Sequence, residues 1–169
     1  EEPTVFIKAC APTGANDPIV LPKDAQKADW EVELAIVIGT AGMYISEADA
    51  LRHVAGYCLI HDFTERSYQM ERSGQWTKGK SFPGFAPLGP WLVTRDELGA
   101  ADNLGIWLEV NGQRRQQSTT GNLVFGVAAL VSYLSRFYRL EPGDVIATGT
   151  PAGVGLGHRP PIFLRPGDH

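Results

Sequence analysis

Only two of the 169 residues are cysteine, and Cys10 and Cys58 show neither Cys-x-x-Cys spacing nor enough partners for a disulfide framework. Both are expected to be free thiols in a reducing compartment. No apolar run approaches the ~18 residues of a membrane span, and "EEPTVFIK" lacks a basic stretch leading into an apolar one. Neither a span nor a secretory signal is expected in this sequence, and the expected location is cytoplasmic. Basic clusters are scarce too: 15 Lys and Arg stand against 19 Asp and Glu, scattered singly apart from Arg114-Arg115, so no footprint for a phosphate backbone is present. An anionic substrate would need local positive charge. Repeats, low-complexity tracts and linkers are missing, so residues 1–169 read as one domain, long enough to bury about two-thirds of its unfolded surface.

What the chain does contain is many short extended segments and few helices. Val5 to Lys8 reads as a short strand, followed by a long loop punctuated by Pro12, Gly14, Pro18 and Pro22. Glu31 to Ile38 and Gly56 to Ile60 are strands. Ser46, with Glu47 and Asp49 behind it, reads as the N-cap of a helix to about His53. "HDFTERSYQMER" has helical spacing, and "GQWTKGKSFPGFAPLGP" is Gly- and Pro-rich loop. "IWLEVNGQRRQQ" predicts a hairpin, because Asn111-Gly112 supplies the positive φ values of a type I′ turn. "NLVFGVAALVSYLSRF" predicts the one long amphipathic helix, with Leu123, Ala128, Val131 and Leu134 near one face. "LEPGDVIATGTP" is a turn, then a strand. The class predicted is α+β, with a mixed, mostly antiparallel set of strands.

Glu31 and Glu33 lie two residues apart in "DWEVELAIVIG", so in a strand both carboxylates face one way while Trp30, Val32 and Leu34 face the other. An ordinary wet strand face accounts for the pair taken alone. The continuation "LAIVIG" is apolar on both faces, however, and two like charges at that boundary call for a cation. Mg²⁺ characteristically takes one or two carboxylates directly, with water completing the octahedron. Asp62, in "GYCLIHDFTERSYQ", follows a buried strand where functional groups collect. In a helix starting there Asp62, Arg66 and Gln69 share a face. The structural alternative is a capping box of Asp62 with Glu65 and an i,i+4 ion pair with Arg66. Lys78 and Lys80 lie in the Gly- and Pro-rich loop, as desolvated cations for an oxyanion or as solubilising charges. "ATGTPAGVGLG" lacks the Gly-Lys-Ser/Thr of a phosphate loop and suits close approach of backbone to a ligand, with Thr148 and Thr150 as hydroxyl donors.

The blocks "DWEVELAIVIG", "GYCLIHDFTERSYQ", "WTKGKSF", "PLGPWLVT", "LEVNGQ" and "LEPGDVIATGTPAGVG", in this order and spacing, closely resemble the fumarylacetoacetate hydrolase family from about Phe6 to the C-terminus. The resemblance implies the family's compact mixed β roll, usually dimeric. It implies that Glu31, Glu33 and Asp62 are carboxylate ligands of Mg²⁺ or Mn²⁺. Arg66 and Gln69 match the family's RxxQ, and Lys80 matches the lysine before "SF"; these would contact substrate and carry catalysis. Thr150 matches the threonine that looks toward the substrate carboxylate.

Members of the family bind 2-oxo acids, whose carboxylate and keto oxygens chelate the metal. For a 2,4-dioxo acid, water activated by a base would attack the distal carbonyl, Lys80 would stabilise the oxyanion, and the carbon-carbon bond would break to release pyruvate. Decarboxylation, isomerisation or hydration uses the same enolate, and a non-catalytic 2-oxo acid binder would keep the same site. Hydrolytic relatives take their base from a His-Glu pair on a lid ahead of the "FIK" segment, which is expected to lie outside this sequence, as is the extreme C-terminus. His53 is expected to be structural, and His158 lies in a loop without a matching motif. His61 replaces the Asn common before the ligand Asp, as a group orienting Asp62 or as a plain core or edge residue. "KSFPGF" lacks the Asp of "KSFD". With "GQWTKGKS" and "GPWLVTRDEL", these departures look nearest to the branch acting on 2,4-dioxo-3-deoxy sugar acids.

Overall fold

Alternation of large apolar side chains with small or charged ones on the strand after Trp30 sets the architecture. A computed structural model describes residues 2–169. In chain order the strands are β1 (Thr13–Gly14), β2 (Ala28–Asp29), β3 (Val32–Ile38), β4 (Val54–His61), β5 (Thr64–Glu65), β6 (Pro87–Thr94), β7 (Gly105–Val110), β8 (Gln113–Thr119) and β9 (Val145–Ala147). The helices are α1 (Arg66–Met70), α2 (Thr77–Lys80), α3 (Arg95–Leu98) and α4 (Val127–Leu134). A five-stranded sheet runs β1-β6-β4-β3-β9, antiparallel except for β1 on β6, and two-stranded β2-β5 and β7-β8 ribbons flank it. This is the mixed, mostly antiparallel α+β class that the pattern predicts.

Leu34, Ile36 and Ile38 leave β3 on one face and pack with Tyr57, Val127, Leu130 and Val131. Each such buried side chain contributes roughly 1.5–3 kcal/mol. Ala35 leaves the opposite face with Ile60 of β4 and Ala86. Glu33 pairs with Ile60 across the ladder and so shares that second face. The site is therefore built on the side of the sheet opposite α4.

Several elements are shorter than their periodicity suggests. Val5 to Lys8 is not a strand; residues 2–12 carry no regular element. After Ser46 the chain makes turns and then a 3₁₀ segment, Ala50–His53, because the Ser46 hydroxyl and Asp49 close a local turn instead of capping an α-helix. α4 begins only at Val127, since Gly126 holds extended backbone at the N-cap. The hairpin turn is as predicted, with φ of 52° at Asn111 and 74° at Gly112.

The segment after Asp62 differs most usefully. Thr64–Glu65 is strand, and helix starts at Arg66 with Glu65 as its N-cap, accepting from the Tyr68 amide. Glu65 also accepts from the Gln26 and Lys27 amides. The predicted loop holds α2, whose Gly79 lies flat on α1: a Cβ there would come within 2.5 Å of Gln69 N and Glu65 O. Only glycine allows that approach. It delivers Lys80, at the end of α2, into the interior.

Candidate functional site

With capping done by Glu65, the Asp62 carboxylate is left free of the backbone. The alternative reading, an Asp62-Glu65 capping box with an Asp62-Arg66 pair, is not what forms. Instead Asp62 meets Glu31 and Glu33, and one carboxylate oxygen from each lies within 4.8 Å of the others. All three are buried, Glu33 at 3% and Asp62 at 1% exposure.

Three cations surround them unequally. Lys80 Nζ bridges Glu31 Oε2, at 2.8 Å, and Asp62 Oδ2. Lys8 Nζ lies 2.6 Å from Asp62 Oδ1 and also donates to the Phe63 carbonyl. Arg66 Nη2 is 2.6 Å from Glu31 Oε1, an ion pair by distance without hydrogen-bond alignment. Its Nε donates to Asp29 Oδ2 at 2.8 Å, and its Nη1 to Gln69 Oε1 at 3.1 Å. Glu33 has no cation among the described residues; its Oε2 accepts only the Gly149 amide, at 2.7 Å.

The protonation equilibria follow this inequality. Burial would raise Asp62, but Lys80 and Lys8 outweigh it and hold the carboxyl below its usual range. Burial raises Glu31 against the pull of Lys80 and Arg66. Glu33 is pushed up to about 8, first by burial and then by the charges of Asp62 and Glu31. Burial lowers Lys8 despite its pairing with Asp62, while Glu31 and Asp29 outweigh burial and raise Arg66.

This donor set fits a hard divalent cation. The ligands are oxygens and they converge, and one of them has its charge opposed by burial with nothing to neutralise it. With all four ionised, the carboxylates, counting Asp29, face three cations among the described residues, a deficit of one positive charge. No helix of the described residues is long and apolar enough to cross a membrane.

Of the residues singled out in the sequence, Arg66 and Lys80 are brought directly to the carboxylates. Gln69 reaches them only through Arg66. Thr150 sits on the adjoining loop, where its hydroxyl donates to the Val32 carbonyl at 3.0 Å. Lys78 does not join the cluster; its Nζ donates to the Arg72 carbonyl at the surface. His53 bonds the Thr40 carbonyl, a structural contact. His61 makes no hydrogen bond to Asp62: Nδ1 is buried without a partner, and burial lowers the ring to about 4, so it stays neutral. His158 packs its ring edge-on 6.2 Å from that of Trp30.

Two participants were not legible in the sequence. Lys8 ends a segment that reads as a short strand, a pattern that gives no sign of its contact with Asp62, and the segment is irregular in the structure. Asp29 carries no local signal of its role; fully buried, it accepts from Arg66 and from the Trp30, Gly155 and Leu156 amides. A cavity of about 550 Å³ opens beside Lys8, Cys10 and Ile60, and one of about 420 Å³ runs past Thr148, Gly149 and Thr150 to Ser118 and Leu123.

Comparison with known proteins gives consistent results. A family model described as "Fumarylacetoacetate (FAA) hydrolase C-terminal" matches residues 1–169. A Burkholderia ambifaria protein named "Putative hydrolase" is 54% identical over 169 residues, 99% of this chain and 60% of its own length. The chain thus spans about three-fifths of that relative. Among solved structures, 5-carboxymethyl-2-hydroxymuconate delta-isomerase from Mycobacterium smegmatis is 40% identical, with a TM-score of 0.84, over 95% of this chain and 59% of that one. Fumarylacetoacetate hydrolase from Exiguobacterium antarcticum is 42% identical, with a TM-score of 0.83, over 95% of this chain and 57% of that one.

Proposed function

Because the chain belongs to the fumarylacetoacetate hydrolase family, we propose that it is the catalytic part of a divalent-metal-dependent hydrolase that cleaves a carbon-carbon bond in a 2,4-dioxo acid. The products would be pyruvate and a second acid. The observation that carries this reading is the convergence of Glu31, Glu33 and Asp62, with no cation on Glu33 among the described residues. Mg²⁺ or Mn²⁺ held by these three would supply Lewis acidity and a template for adjacent substrate oxygens.

The protein's own groups account for the rest. A divalent cation turns the deficit of one positive charge into an excess of one, which suits an anionic 2-oxo acid. Arg66, fixed by Asp29 and Gln69, offers a directed guanidinium toward that anion. Lys80, nearly enclosed and paired with Glu31 and Asp62, would stabilise oxyanion charge developing beside them. Thr150 and its neighbours line the second cavity, where the rest of the substrate would lie. A homodimer and a 2,4-dioxo-3-deoxy sugar acid as substrate belong to the same reading.

The test is pyruvate release from a panel of 2,4-dioxo acids by the full-length protein, with and without Mg²⁺ or Mn²⁺, followed by coupled reduction to lactate. Metal-dependent pyruvate is expected. A relative named as an isomerase at 40% identity supports a second reading, rearrangement of a 2-oxo acid at the same site; a metal-bound, fully assembled protein that releases no pyruvate but shifts a substrate double bond would establish it.

Ligation by Glu33 also fixes a pH dependence. A carboxyl that titrates near 8 is protonated at pH 7 and must lose its proton to bind metal. Mn²⁺ binding at pH 7 is expected to release close to one proton, with affinity rising about tenfold per pH unit between 6 and 7.5 and levelling above 8. Calorimetry in buffers of different ionisation enthalpy reads both, and an affinity flat across that range would remove Glu33 from the ligand set.

A further inference from the structure

Val32 lies between Glu31 and Glu33, and its backbone fixes the direction in which both carboxylates leave the strand. On the β4 side the ladder continues through His61. On the other side β9 pairs only with residues Ala35 to Val37, and the Thr148 amide reaches Leu34, so the ladder has ended before Val32. An N–H and a C=O at a buried position would be left open there.

A side chain from the hairpin fills the gap. Gln116 on β8 is 1% exposed, and its Oε1 accepts the Val32 amide at 3.0 Å. Its Nε2 donates to Thr150 Oγ1 and to the Pro151 carbonyl, each at 2.8 Å. The Thr150 hydroxyl then donates to the Val32 carbonyl at 3.0 Å. The four bonds form a closed ring with one spur, in which the amide of Gln116 and the hydroxyl of Thr150 replace a missing strand.

We infer that Gln116 is a positioning residue for the metal site: through Val32 it sets the two glutamates, and through Thr150 and Pro151 it sets the loop that walls the second cavity. The inference rests on the reading of Glu31 and Glu33 as metal ligands. A consequence concerns Thr150, whose single hydroxyl proton is engaged by Val32. Toward a bound carboxylate that hydroxyl has no proton to give without opening the ring.

The test uses Gln116→Met, which keeps the side-chain volume and removes the three bonds, and Thr150→Val, which removes the ring's hydroxyl. In the full-length protein, amide exchange is expected to accelerate at residues 29–34 and 148–153 while α4 stays protected. The Mn²⁺ Kd is expected to rise about 10-fold in each variant, the usual loss when a group that orients a ligand is removed. Because both break one ring, the double variant should match the weaker single within about twofold. Unchanged exchange at those segments, or a Kd within twofold of the parent, overturns the inference. If Gln116→Met does not fold, Thr150→Val alone decides by the same two readouts. If the parent protein binds no Mn²⁺, the metal reading has failed, and exchange decides the ring by itself: acceleration confined to those two segments supports it, and uniform or absent acceleration overturns it.

Discussion

Glu33→Gln is expected to lose divalent-metal affinity by 100-fold or more, together with pyruvate release, and at the same time to melt several degrees higher than its parent in metal-free buffer at pH 7.5. The two effects have one cause. Glu33 is buried beside Glu31 and Asp62, and among the described residues no cation answers it. A carboxyl raised from 4.5 to about 8 gives full stability only below 4.5. Between those values the folded protein holds a proton that the unfolded chain has released, so stability falls as pH rises, by up to about 1.4 kcal/mol per pH unit. Glutamine has the same shape and no such dependence.

A melting curve with chelator at pH 6 and 8 separates the variants. The parent should lose several degrees between the two values and Glu33→Gln much less, since about 1 kcal/mol corresponds to 2–4 °C in a chain of this size. Excess Mn²⁺ should then raise the parent's melting temperature and leave the variant's unmoved. Retained Mn²⁺ affinity in Glu33→Gln would end the assignment of this residue as a ligand. A site that destabilises its own empty form is the pattern expected where charge is held ready for a partner.

The carboxylates were legible because strand periodicity places Glu31 and Glu33 on one face without any knowledge of the fold, and the apolar run behind them makes a wet face implausible. Asp62 could be placed at a strand end but not assigned, since a cap and a ligand look alike in sequence. What decided was Glu65, which takes the cap through a turn of strand that helical spacing hides. Lys80 sat in a stretch whose glycines and prolines read as loop, whereas Gly79 is there so that a helix can touch its neighbour. Lys8, Asp29 and Gln116 were beyond reach for a common reason. Each acts across a separation of 54, 37 or 84 residues, and a local pattern carries no information about such contacts. The fold class needed only the periods of short segments; the network around the site needed the topology.

Lys80→Met should reverse the sign of the stability effect while sharing the loss of activity. Among the described residues Lys80 Nζ is the one cation that touches two of the three carboxylates, and it is 2% exposed. Removing it strands Glu31 and Asp62 in the interior with Arg66 and Lys8 each holding one of them. Loss of one partner from a buried ion pair costs about 3–5 kcal/mol. In chelator the variant should therefore melt roughly 10 °C below its parent. Saturating Mn²⁺ should recover much of that loss, because a divalent ion replaces the missing charge at the same carboxylates. Turnover should not recover with it. If Lys80 stabilises an oxyanion, kcat falls about 10²–10³-fold at saturating metal. A variant that regains its melting temperature but not its turnover separates the two duties of this lysine. One that regains both would show that its charge serves the empty site alone, and a melting temperature unchanged in chelator would mean that Arg66 and Lys8 suffice to hold the carboxylates.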